Sequence, residues 1–139
     1  MSAELALQKA VRGRLISTPA VVALVPSSRI VDRHSRPYGP PLILLGDDLT
    51  TRDAERPLTR RRVSVTHNLH LFLNELSFEG SKRLAGLIRA AVEAGPLPAT
   101  DEPWRVVDAW VPRTRFLRDP DGETSHAVVT VEALLEAVG

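Results

Sequence analysis

Across residues 63–73 the chain alternates without a break. Val63, Val65, His67, Leu69, Leu71 and Leu73 fall on one parity, and Ser64, Thr66, Asn68, His70 and Phe72 on the other. Side chains leave a β-strand on alternate faces, so period two over this length specifies a strand with one buried and one polar face. A strand covered on both sides reads instead as a continuous apolar run. The chain therefore has to build an open-faced, mostly antiparallel sheet, and something else in the sequence has to cover one side of it.

Two segments are patterned for that task. Residues 78–94 carry Leu84, Leu87, Ile88, Ala91 and Val92 as one apolar stripe, with Ser77 as the expected cap and Gly95-Pro96 as the stop. Residues 3–16 place Leu7, Ala10, Val11, Arg14 and Leu15 at helical spacing, with Ser2 as cap and Glu4 in the first turn. Thr18-Pro19 then opens a short helix over residues 20–25, Thr as cap and Pro at the first position.

The remaining strands follow from shorter signals. Arg29-Ile30-Val31-Asp32-Arg33 reads as a brief edge strand, and residues 42–45 as a buried strand ended by Gly46. Residues 47–61 are polar, charged and without period, which reads as a long loop or a hairpin arm. Residues 104–117 and 125–134 read as two strands joined by Asp119-Pro120-Asp121-Gly122, in which Pro presets one φ and Gly supplies a positive one. Pro112 makes the first of these an edge or bulged strand. The expected fold class is α+β: a mostly antiparallel sheet of about four strands packed on two main helices, with a long charged loop or arm. At 139 residues, one domain spanning 1–139 is expected, with enough core to need no staple.

Chemistry is harder to find. There is no cysteine, hence no disulfide and no thiolate. His67 and His70 lie three apart on one strand and so on opposite faces, where they cannot share a metal. His67 reads as a hydrogen-bonded core histidine, and His34 and His126 each stand alone. Neither a phosphate loop nor a GxSxG elbow occurs. The carboxylate pairs Asp47-Asp48 and Asp101-Glu102 fall in polar loops, where solvation keeps them ordinary. No catalytic, cofactor-binding or metal-binding residues are expected. Eighteen basic against seventeen acidic residues give a net charge of +1, too little for long-range attraction to nucleic acid or membrane. No apolar run is long enough to span a bilayer and no leader pattern is recognisable, so a soluble, non-secreted domain is expected.

Two features remain as candidates for contact. Arg52, Arg56, Arg60, Arg61 and Arg62 crowd into eleven positions, a basic arm for a phosphate backbone or an acidic partner unless Asp47, Asp48, Asp53 and Glu55 neutralise it. Phe72 interrupts the polar face of the long strand, and Trp104 and Trp110, at spacing six, fall on one strand face as candidate anchors for a neighbouring subunit.

A family resemblance runs through most of the chain. Ser2-Ala3-Glu4-Leu5-Ala6-Leu7-Gln8-Lys9-Ala10-Val11 resembles the opening of small phage tail-completion, or tail-terminator, proteins, which also occur in gene transfer agents. In order come Ala23-Leu24-Val25, Arg29-Ile30-Val31-Asp32-Arg33, Pro37-Tyr38, Leu45-Gly46-Asp47, Leu69-His70-Leu71, and Leu117-Arg118-Asp119-Pro120-Asp121-Gly122 with His126. Gly39-Pro40-Pro41 and Phe72-Leu73-Asn74-Glu75 depart from the family's usual pattern. The resemblance implies a structural particle protein that assembles as a homo-oligomeric ring, commonly a hexamer, on the head-proximal end of the tail tube. It implies tail tube and head connector proteins as partners, DNA passing through the lumen without sequence-specific binding, no cofactor and no membrane. It also implies a life in the bacterial cytoplasm during assembly and then in the particle's tail. Two other readings stay open: a small Arg-rich nucleic-acid-binding module, and an enzyme whose site the spacing does not reveal.

Overall fold

A computed structural model describes residues 2–32, 39–52, 61–98 and 103–137. Helix α1 (Ala3–Ile16) is followed by α2 (Pro19–Leu24) and a single 3-10 turn (Ser27–Arg29). Three strands come next: β1 (Ile30–Val31), β2 (Leu42–Arg52) and β3 (Arg62–Asn74). Helix α3 (Glu79–Glu93) then leads into β4 (Trp104–Arg118) and β5 (Thr124–Ala137). The five strands form one sheet in the order β1-β2-β3-β5-β4, antiparallel except for the short β1–β2 pairing. The expected α+β class holds, with one strand more than the four anticipated.

The helices cover one face of the sheet. Val65, Leu69 and Leu71 of β3 and Val129, Val131 and Leu135 of β5 point to that face and are buried. Against them pack Leu7, Val11 and Leu15 of α1 and Leu84, Ile88 and Val92 of α3, the stripes read from the sequence. Each such aliphatic side chain contributes about 1.5–3 kcal/mol by leaving water. The other face carries no helix among the described residues.

The helix ends differ from expectation in instructive ways. Ser2 caps α1 as anticipated, its hydroxyl accepting from the Leu5 amide at 3.1 Å. Thr18 does not cap α2: its hydroxyl donates to the Arg14 carbonyl at 2.6 Å, binding α2 back onto α1. Ser77 accepts the Glu79 amide, at 3.3 Å. The cap of α3 is Glu75, whose Oε1 accepts from the Gly80 amide at 2.7 Å and whose Oε2 accepts from the Ser81 amide at 2.8 Å. A methyl group on Gly80 would stand 2.9 Å from that carboxylate, so the bare glycine lets the carboxylate approach the helix end.

Arg14, which sits on the apolar stripe of α1, has a similar duty at the far end of α3. Its guanidinium donates to the carbonyls of Ala91 at 2.7 Å and Pro96 at 2.8 Å, groups left without helical partners at a C-terminus. Arg14→Ala is expected to lower stability by about 1.5 kcal/mol, read by urea unfolding. An unchanged midpoint would show that water replaces the guanidinium without loss.

Strand β2 corrects the largest sequence expectation. It does not end at Gly46 but runs on to Arg52, and residues 48–52 pair with residues 63–67 of β3. Of the two alternatives for the charged segment, the hairpin arm is the one found at its base. A register shift between Leu45 and Asp48, with Gly46 at φ +105°, is the reason the alternation was hidden. The closing hairpin is as expected, with the Gly122 amide donating to the Asp119 carbonyl at 3.0 Å and Gly122 at φ +74°. Pro112 lies on an edge strand at a register shift, also as expected.

Candidate functional site

The bulge at Gly46 sends two consecutive carboxylates to opposite faces of the sheet. Asp48 turns to the helix-covered face and accepts a hydrogen bond from Nδ1 of His67, a side chain with no exposed surface. His67 is thus the hydrogen-bonded core histidine anticipated, and its Nε2 has no hydrogen-bond partner among the described residues. Asp47 turns to the helix-free face, where its Oδ1 accepts from His70 Nε2 at 3.1 Å. That hydrogen bond and the aspartate's own backbone amide hold the Asp47 carboxyl below the usual range. The two carboxylates are therefore not an ordinary solvated loop pair. Asp101 and Glu102 lie outside the described residues.

His126 does not stand alone either. Its Nε2 lies 3.0 Å from His70 Nδ1. With the His70 Nε2–H committed to Asp47, a neutral His70 offers Nδ1 as acceptor and His126 donates to it. Asp47, His70 and His126 form a hydrogen-bonded chain across three strands. Phe72 stacks on His126, with ring centres 4.4 Å apart and planes 18° from parallel. Phe72 is consequently buried, not the exposed apolar group expected. Beyond it, Thr130 donates to Asn68 Oδ1 at 2.8 Å. Among the described residues no group of three or more His, Asp or Glu is arranged to hold a metal ion.

The two tryptophans are separated by a second bulge. Register shifts between Val106 and Asp108, and Trp104 pairs with Ala137 while Trp110 pairs with Glu132. Spacing six puts residues on one face only along an unbroken strand. Here the extra residue, Val107, reverses the parity. Trp104 packs against the core beneath the helices, and Trp110, 39% exposed, stands on the helix-free face.

The arginine cluster is likewise divided. Arg52 is exposed at the end of β2 and Arg61 is exposed just before β3, its carbonyl accepting from the Ala137 amide at 2.9 Å. Arg62 belongs to the sheet, with its guanidinium 3.8 Å from Glu136 and Arg105 flanking the same carboxylate at 3.3 Å. Arg56 and Arg60 lie outside the described residues, as does His34.

A family model described as tail completion protein gp17 matches residues 9–136, nearly the whole chain. The chain belongs to the tail completion protein gp17 family. Solved structures share its fold, among them these two. A chain from the virion of a native gene transfer agent particle superposes with a TM-score of 0.83 at 20% identity, covering 98% of each chain. The gp17 protein of bacteriophage SPP1 superposes with a TM-score of 0.62 at 18% identity, covering 99% of this chain and 91% of that one. No curated protein matches the sequence. The family indicated by the ordered sequence marks is the one matched, and it is a family of structural tail proteins.

Three groups on the helix-free face escaped the sequence reading: Leu49, Arg113 and the His70–His126 pair. Leu49 is 66% exposed and is the large aliphatic of the arm's outer strand. A lone leucine in a charged segment was the available signal for it. The histidine pair had none, because 56 residues separate its members and only strand register joins them.

Proposed function

We propose that residues 1–139 act as one tail-terminator-like domain that caps the head-proximal end of a phage-like tail tube. Protomers close into a ring of six, stop tube polymerisation and join the tube to the head connector, and DNA passes through the lumen without sequence-specific binding. The protein assembles in the bacterial cytoplasm and ends in the tail of the particle. The observation that carries this reading is the family match along residues 9–136. Support comes also from the fold shared over both full lengths with a chain of a gene transfer agent particle. A net charge of +1 suits a protein that DNA slides past. In this reading the exposed Arg52 and Arg61, with Arg56 and Arg60 between them in sequence, form an arm that reaches a neighbour or the lumen.

The mass of the purified protein by light scattering, followed by imaging on isolated tail tubes, tests the reading. A closed ring on one end of each tube is expected. Deleting residues 53–60 should abolish tail-to-head joining while leaving the protomer folded. A monomer that ignores tubes yet retards on DNA, with affinity falling steeply as salt rises, would overturn it in favour of an Arg-rich nucleic-acid module.

A further inference from the structure

The register of the sheet sets four residues of the helix-free face in one row across it. Leu49 pairs with Thr66, Thr66 with Glu132, and Glu132 with Trp110. Leu49 stands on β2, whose outer edge is paired among the described residues only at the two residues that meet β1, and Trp110 stands on β4, the opposite edge of the sheet. Among the described residues these are the large apolar side chains exposed on this face outside the β4 bulge, 66% and 39% respectively, and they lie at one level on its two margins. The adjacent row repeats the match with charge. Asp47, its side chain 77% exposed, sits at the β2 bulge opposite Asn68. Asn68 pairs with Thr130, and Thr130 with Arg113 on β4. Arg113 is exposed and has no ion-pair partner among the described residues.

We infer that the two margins are complementary halves of one protomer–protomer contact. The β2 margin of one copy meets the β4 margin of the next, with Leu49 against Trp110 and Asp47 against Arg113. This rests on the ring reading above and gives that ring its interface. The occupant is a second copy, because the match in level, apolarity and opposite charge is between two margins of the same chain. A foreign partner would account for either margin but not for their correspondence. Two different patches on each protomer make the contact heterologous, the kind that closes into a ring about an axis along the strands. Side chains make it, not strand addition. Register shifts and Pro112 interrupt the β4 edge, and the Gly46 bulge interrupts β2, the usual means by which sheet edges resist pairing.

The absence of cysteine from the sequence supplies a clean test. Within one chain Leu49 and Trp110 are three strand spacings apart, about 14 Å, far beyond the roughly 7 Å that a disulfide bridges. The double variant Leu49→Cys/Trp110→Cys, treated with oxidised glutathione, should therefore give a ladder of linked protomers ending at one closed species. Each single variant should stay monomeric on the same non-reducing gel over the same time. Efficient dimers from either single variant would mean that like margins meet, and would overturn the inference. Absence of a ladder where light scattering shows the wild type as a ring would overturn it while the ring stands. A wild type that is monomeric both in solution and on tube ends would remove the ring reading and this contact together. Arg113→Glu, which sets two acids face to face, provides a second measurement on a folded protein. It should raise the concentration needed for half-assembly at least tenfold without changing the melting temperature of the protomer, and an unchanged assembly midpoint would overturn the charge pairing.

Discussion

Asp48→Ala should destabilise the protein by about 3 kcal/mol, and His67→Leu added to it should recover most of that loss. Ordinarily a surface aspartate near a hairpin base changes stability by less than about 0.5 kcal/mol. Here the carboxylate is the hydrogen-bond partner found for a histidine with no exposed surface. Removing it strands both ring nitrogens among aliphatic side chains, since Nε2 already has no partner among the described residues. Leucine at position 67 removes the need for a partner and fills similar space between the rows of Leu69 and Val65. His67→Leu alone leaves Asp48 unpaired, but that side chain is 22% exposed and can rehydrate. The single variants should therefore differ, Asp48→Ala being much the worse, with a melting temperature lower by about 10 °C. A double variant that loses the sum of the two single losses would show that the two side chains are not coupled.

Glu75→Ala should lower stability by about 2.5 kcal/mol at neutral pH, more than a typical helix cap, because one carboxylate serves two elements. It accepts two amides at the start of α3 and the Ser125 hydroxyl at the start of β5, 2.8 Å away. Burial pushes the Glu75 carboxyl up, but the hydrogen bonds from Ser125, Gly80, Ser81 and Ser77 outweigh it, and the group titrates below the usual glutamate range. The sign of the pH dependence follows. A carboxyl depressed in the folded state stabilises fully above its unfolded pKa, about 4.3, and that stabilisation disappears as pH falls through the folded value. Urea midpoints of wild type and Glu75→Gln should therefore lie well apart at pH 7 and converge below pH 4. A gap that persists undiminished in acid would mean that the carboxyl contributes by shape and not by charge.

Both sites show where a sequence stops being legible. The stripe on α1, the stripe on α3, the period of β3 and the Asp119–Gly122 turn were all visible, because each is local and each buries or turns a contiguous stretch. Glu75 was not, since it caps from three residues before Phe78 while Ser77 offers the commoner signature. The two bulges did more damage. One extra residue at Gly46 ended the apparent strand early, and one at Val107 moved Trp110 to the face opposite Trp104. Periodicity locates a strand, yet a single insertion reverses everything beyond it. The pairs His70–His126 and Asp48–His67 depend on register between strands, which no spacing within a strand encodes.

Strand β5 is the last element in sequence but lies between β3 and β4, pairing Asn74 with Thr124, Arg62 with Glu136 and, on its other side, Trp104 with Ala137. Until β5 inserts, β3 and β4 have no strand in common, and the long apolar parity of β3 has one edge open to any passing chain. Loop closures of this span are slow relative to helix formation, so the helices are expected to form before the middle of the sheet does. An edge of β3 left open in that interval would be exposed to misassociation before any encounter between finished margins. Completion of β5 works as a licence, since the row that ends at Leu49 and Trp110 comes into being only when the strand that aligns its two halves has arrived.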